Sequence, residues 1–188
     1  PRRFQAAISG LKNMRTSPGE AIEFAETFFD VKVAEIYTSY EKKLMLANSM
    51  DFDDLLLKTN ELLKILGTKK PSIGLNILQE TGLMKIVFPE IDKMYGIDQT
   101  AEWHHKDIFT HTLQVVDNSA KLSDKMELRF AALVHDIAKP ITRRIDKKKG
   151  YTFHGHDAIG EKMIDTVSKR MKLSNDLRDY LKKLTLLH

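Results

Sequence analysis

Cysteine is absent from all 188 residues, which excludes disulfide staples and thiolate metal ligands. No apolar run approaches the roughly 18 residues that a membrane-crossing helix needs. No signal-peptide pattern opens the chain, so a cytoplasmic protein with no membrane partner is expected. Internal repeats and low-complexity tracts are missing too. What remains is ordinary globular composition, 42% apolar and 30% charged, in a chain long enough to bury a core in one or two domains. It begins with Pro1 rather than Met, and it reads as a fragment or a processed product.

Charge is unevenly placed. Residues 1–66 carry nine basic and ten acidic side chains, and the remainder carries 21 and 16. The positive excess therefore lies in the second part, where it favours a phosphate-bearing ligand. Lys-rich solvated helix faces would give the same count.

The apolar spacing predicts an all-α protein with at most one short β-hairpin. Asn13 to Gly19 form a break. The stretch from Pro18 to Asn48 reads as one long helix, with Ile22, Ala25, Phe28, Phe29, Val33, Ile36, Tyr40 and Leu44 near a 3.6-residue period. A second helix, from Met50, ends at Gly67. "TKKPS" at 68–72 is the expected boundary, dividing the chain into 1–66 and 67–188. Short helices follow, closed by Gly82 and Pro89. Then come helices from about His105 to Leu122 and from about Lys125 to Ala138, the latter ending at Pro140. "ITRRIDKKKGYTF" reads as a hairpin, and helices are expected near 156–171 and 175–188.

All seven histidines lie in the second part: His104, His105, His111, His135, His154, His156 and His188. His111 falls on the apolar face of its helix. His135 and Asp136 interrupt the apolar run "AALVHDIAKP", where an ionised carboxylate is unfavourable without a compensating cation or several donors. A lone His–Asp pair would be read as a helix-end hydrogen bond beside an Asp136–Lys139 ion pair. With an inward His111 before it and "FHGHDAIGEKM" after it, a divalent metal site is the better reading. Imidazoles and carboxylates suit borderline first-row ions.

The segments "HKDIFTHTLQVVDN", "LRFAALVHDIAKP" and "FHGHDAIGEKM" resemble the HD superfamily of metal-dependent phosphohydrolases. With "KPSIGLNILQETGLMKIVFPE", residues 69–188 resemble more narrowly the HD region of bacterial CCA-adding tRNA nucleotidyltransferases and related poly(A) polymerases. The resemblance implies an HD-domain helical bundle in which His111, His135, Asp136, His156 and His188 are the metal ligands. It implies a divalent ion, whether nickel, manganese, magnesium, iron or zinc. Asp136 and Lys139 would be the catalytic pair, with Lys139, Arg143, Arg144 and His154 meeting substrate phosphate. The implied chemistry is hydrolysis of a phosphate ester in a nucleotide or RNA end, tRNA included. The alternative is a nucleic-acid-binding helical module with a structural or degenerate metal site. The family closes its site with an Asp on a later helix, whereas Asp176 and Asp179 precede His188. The resemblance thus implies a C-terminal truncation.

Residues 5–66 resemble a different family, a stretch of superfamily 1 DNA helicases, through "ISGLKNMRTSPGEAIEF" and "VAEIYTSYEKKLMLANSMDFDDLLLKTNELL". The sequence contains no G-x-x-x-x-G-K-[ST], so ATP hydrolysis is not expected. Asp51, Asp53 and Asp54 suggest a metal-binding D-x-D pair. Their helical context instead predicts capping of a helix N-terminus. Phe24, Phe28, Phe29 and Tyr37 are expected in the core.

Overall fold

Ser17 and Thr27 decide how the first third of the chain divides. The computed structural model describes residues 2–47, 51–98, 107–146 and 150–188. In it α1 (Arg2–Asn13) is followed by α2 (Pro18–Glu23) and α3 (Phe28–Leu46). Ser17 and Glu20 form a reciprocal capping box at the start of α2, and Thr27 and Asp30 form another at the start of α3. Each box satisfies N–H groups that a helix start leaves unpaired. The single long helix expected over 18–48 is therefore two helices, with the break just before Phe28.

This break corrects the expected core as well. Val33, Ala34 and Tyr37 turn inward with Ile8 and Ala21, and Phe29 packs against them. Phe24 and Phe28, however, are 71% and 80% exposed. Positions that share one period no longer share one face once the chain has left the helix between them.

The next helix, α4 (Phe52–Leu66), starts as the acidic residues predict. The Asp54 N–H donates to Asp51 Oδ1 at 3.0 Å, and the Asp51 N–H donates to Asp54 Oδ2 at 3.2 Å. Lys12 closes the acidic group: its Nζ lies 2.7, 3.0 and 2.6 Å from Asp51, Asp54 and Glu41. Burial would lower the Lys12 pKa, but the three carboxylates outweigh it and hold the ammonium above its ordinary value.

The chain forms two compact units that part between Lys58 and Thr59, inside α4. The boundary read from the sequence lies after Leu66. Burial explains the difference. Leu62 and Leu66 belong to the second unit's core, and Thr59 Oγ1 donates to the Met171 carbonyl at 3.2 Å. The Gly–Thr–Lys–Lys–Pro break is a loop within that unit.

The second unit continues through α5 (Pro71–Glu80), α6 (Met84–Val87), α7 (Pro89–Asp92), α8 (Ile108–Leu122), α9 (Met126–Val134) and α10 (Lys139–Thr142). Strands β1 (Arg144–Asp146) and β2 (Gly150–Thr152) form an antiparallel hairpin, with Arg144 opposite Thr152. The final helices are α11 (His156–Met171) and α12 (Asn175–Leu187). The architecture is all-α with one small hairpin among the described residues. The hairpin's turn and the expected helix start near His105 lie outside them. No described helix is long and apolar enough to cross a membrane.

A single core, including Leu75, Phe88, Phe109, Phe130, Ile137, Ile164 and Leu181, joins these helices. Buried Arg129 on α9 ties the unit together. It donates to the carbonyls of Leu66 (2.8 Å), Thr68 (3.0 Å) and Ser123 (3.0 Å). Asp117 on α8 accepts from the Ser72 N–H at 2.9 Å and its Oγ at 2.7 Å, capping α5 from outside.

One boundary matters for function. α9 ends at Val134 rather than near Ala138, and His135–Ala138 form a turn. Pro140 does not terminate α9; it stands in the first turn of α10, where a residue without an N–H fits. The His–Asp pair therefore sits in a turn between two helices.

Candidate metal centre

Three helix ends and one helix interior bring the five candidate ligand side chains together. His111 lies in the first turns of α8, and Asp107 caps that helix by accepting from the Thr110 N–H at 2.7 Å. His135 and Asp136 occupy the turn after α9. His156 opens α11, directly after Gly155 in the left-handed region at φ 74°, a conformation that glycine adopts without a Cβ penalty. His188 follows the last turn of α12.

Asp136 is the centre, with 1% of its surface exposed. Its Oδ2 is 3.1 Å from His135 Nε2, 3.8 Å from His111 Nε2 and 2.7 Å from Lys139 Nζ. Its Oδ1 is 3.6 Å from His156 Nε2 and 3.5 Å from His188 Nε2. That oxygen is buried and has no hydrogen-bond partner among the described residues. Burial alone would raise the Asp136 carboxyl, but His135 and Lys139 outweigh it and hold it below the ordinary carboxylate range.

Backbone carbonyls orient three of the rings. His135 Nδ1 lies 2.8 Å from the Ala132 carbonyl, His156 Nδ1 2.7 Å from that of Phe153, and His188 Nδ1 2.7 Å from that of Thr185. A carbonyl only accepts, so each Nδ1 carries a proton, and the Nε2 atom is the one left on the side of Asp136, free to offer its lone pair to a cation whenever the ring is neutral. Metal-ligating histidines are held by the same kind of bond. His156 Nε2 and His188 Nε2 are 3.2 Å apart. Two lone pairs at that distance repel unless a proton or a cation lies between them.

The donor set fits a divalent ion. His111, His135 and Asp136 form one group, and Asp136, His156 and His188 form another. Within each, one ligand atom per residue lies within 4.8 Å of the others. Donors bound to one first-row ion at about 2.1 Å sit about 3 Å apart at a right angle, close to the shorter separations here. The unpaired Asp136 Oδ1 is what an ion would satisfy. A third group, Glu41, Asp51 and Asp54, has similar spacing, but the Lys12 ammonium occupies it.

The residues expected at the substrate divide. Lys139 and His154 line an open cleft with Tyr151, Phe153, His156 and His188. Arg143 lies over the ring of the cleft residue Tyr151, 3.8 Å from its centroid, without itself lining the cleft. Arg144 is exposed, and its guanidinium donates to the Arg143 carbonyl at 2.9 Å; it is not among the residues lining the cleft. Tyr151, Phe153 and Gly155 were not anticipated. The alternation that marks the hairpin and the glycine between two histidines were the signals that could have found them.

Comparison with protein families agrees with this geometry. A model described as HD domain matches residues 108–188, spanning His111 through His188. A second, described as Probable RNA and SrmB-binding site of polymerase A, matches residues 59–95, where the second unit begins. Residues 108–188 are thus an HD domain, joined to a polymerase-A-type RNA-binding segment as in the HD region of CCA-adding and poly(A) polymerase-like proteins.

Proposed function

We propose that the second unit is a divalent-metal-dependent phosphohydrolase acting on nucleotides or RNA 3′ ends, in work related to tRNA CCA-end processing. The observation that carries this reading is the buried Asp136 carboxylate. Its two oxygens face four imidazole Nε2 atoms, three of them oriented by carbonyls. A bound divalent ion would polarise a phosphoryl oxygen and make water nucleophilic near neutral pH.

The chain's own side chains have separate roles. The two Asp136 oxygens face two histidine pairs, so Asp136 would hold a bound ion together with His111 and His135 or with His156 and His188. Lys139, on the cleft wall, offsets negative charge that builds on the phosphoryl group. His154 and Arg143 lie where further phosphate oxygens would pass. The first unit, with its resemblance to a helicase segment, supplies no phosphate-binding loop to this chemistry.

The test combines elemental analysis with turnover of a phosphate monoester and a 2′,3′-cyclic nucleotide, for wild type and Asp136→Ala. Stoichiometric metal and turnover, both lost in the variant, support the enzyme. RNA affinity that survives the substitution, without turnover in either protein, would favour the second reading, a binding module. The polymerase-A-type segment at 59–95 is the observation behind that alternative.

A further inference from the structure

Gly160 lies in the middle of α11, one turn after His156 and on the same helix face. Glycine is a poor interior helix residue, and alanine would suit the helix backbone better. The explanation lies across the helix. A Cβ at this position would stand 2.8 Å from Thr185 Cγ2, 3.6 Å from Ile137 Cγ2 and 3.7 Å from Ala138 Cβ. The first distance is shorter than packed carbons tolerate. The other two come from the turn that carries Asp136. Three elements of the centre meet at this one missing methyl: the 135–138 turn, α11 and α12.

Thr185 is fully buried, and its backbone carbonyl accepts the His188 Nδ1–H at 2.7 Å. That bond aims His188 Nε2 at Asp136 Oδ1, 3.5 Å away, and at His156 Nε2. Whatever displaces Thr185 displaces the acceptor that orients His188. In a densely packed interior a methyl group is not absorbed without movement.

We infer that Gly160 is a positioning residue for the metal centre: its missing side chain lets α12 approach until the Thr185 carbonyl sets His188 beside His156 and Asp136. The inference rests on the proposed role of His188 as a ligand. It adds a determinant that touches neither metal nor substrate.

Thr185→Ser provides the decisive partner, because it removes the colliding Cγ2 and leaves the carbonyl in place. The wild-type 188-residue chain, Gly160→Ala, Thr185→Ser, Gly160→Ala/Thr185→Ser and His188→Ala are compared in two ways. Calorimetric titration with manganese reads affinity. Imidazole proton–nitrogen correlation spectra of the metal-free proteins read the His188 tautomer and environment. Gly160→Ala is expected to weaken manganese binding about 10–100-fold, as loss of an outer-shell support does, and to shift the His188 signal. The double variant recovers both, and Thr185→Ser alone resembles wild type.

Wild-type affinity and an unmoved His188 signal in Gly160→Ala would overturn the inference. So would a double variant that fails to recover, or that fails to fold. If wild type binds no manganese while the His188 signal still moves and recovers, the positioning stands and the phosphohydrolase reading falls. If Gly160→Ala does not fold alone, a folded double variant with the wild-type His188 signal supports the inference.

Discussion

His156 Nε2 and His188 Nε2 face each other at 3.2 Å, and the Nδ1 of each ring is held by the carbonyl of the third residue before it. With Nδ1 protonated, the neutral form of each ring points its Nε2 lone pair into one small space beside the Asp136 carboxylate. Cation binding relieves that repulsion only in the folded chain. Added manganese or nickel should therefore stabilise the folded chain by about 2.7 kcal/mol at a hundredfold excess over Kd, and so raise the unfolding temperature in a concentration-dependent way. Differential scanning calorimetry should show the rise in wild type and none in Asp136→Asn.

Lys139 sits 2.7 Å from Asp136 Oδ2 and lines the cleft. Its removal should reduce kcat about 100–1,000-fold, as loss of a preorganised charge at a developing anion does. Metal content should be retained, because Lys139 donates no lone pair in its ammonium form. Lys139→Met shows this if steady-state kinetics and elemental analysis separate the two quantities. Equal loss of metal and rate would assign Lys139 to the integrity of the site.

Lys12 is 3% exposed and faces Glu41, Asp51 and Asp54. Lys12→Met should destabilise the first unit by about 3 kcal/mol, since it leaves three carboxylates facing one another. The pH dependence has opposite sign in the two proteins. In wild type, Lys12 holds the Asp51 carboxyl down despite its burial, so that part of the stability is present above the ordinary value of 3.8 and is lost as pH falls below it. In the variant, protonation instead relieves repulsion. The gap between the two proteins should narrow toward acid in urea unfolding followed across pH.

Arg129→Met should cost about 3 kcal/mol, because the carbonyls of Leu66, Thr68 and Ser123 lose their donor. The fraction that stays folded should bind metal as wild type does, since the hydrogen bonds of Arg129 go to none of the five candidate ligands. Urea midpoints and metal content on the same samples test both halves of this statement.

Helix period and turn residues placed the hairpin and the last two helices almost where they lie, because Gly, Pro and alternation are local signals. They misplaced the boundary after α9 and fused α2 with α3. In the first case Pro140 reads as a stop although it opens the next helix. In the second the reciprocal caps at Ser17 and Thr27 override a continuous apolar period. Phe24 and Phe28 were placed in the core for that same reason, and the structure leaves both at the surface.

The donor set was legible as chemistry. No cysteine was available, all seven histidines fell in the second part, and a His–Asp pair interrupted an apolar run. Residue type alone sets what can bind a borderline cation, so the sequence determined which side chains could take part. It did not determine which nitrogens face the carboxylate, that Arg144 is not among the residues lining the cleft, or that the acidic group at Asp51 is already held by Lys12. Those depend on carbonyls, helix ends and neighbours brought together from distant parts of the chain. The tertiary structure decided them, because ligand geometry and charge compensation belong to atoms close in space and only incidentally to residues close in sequence.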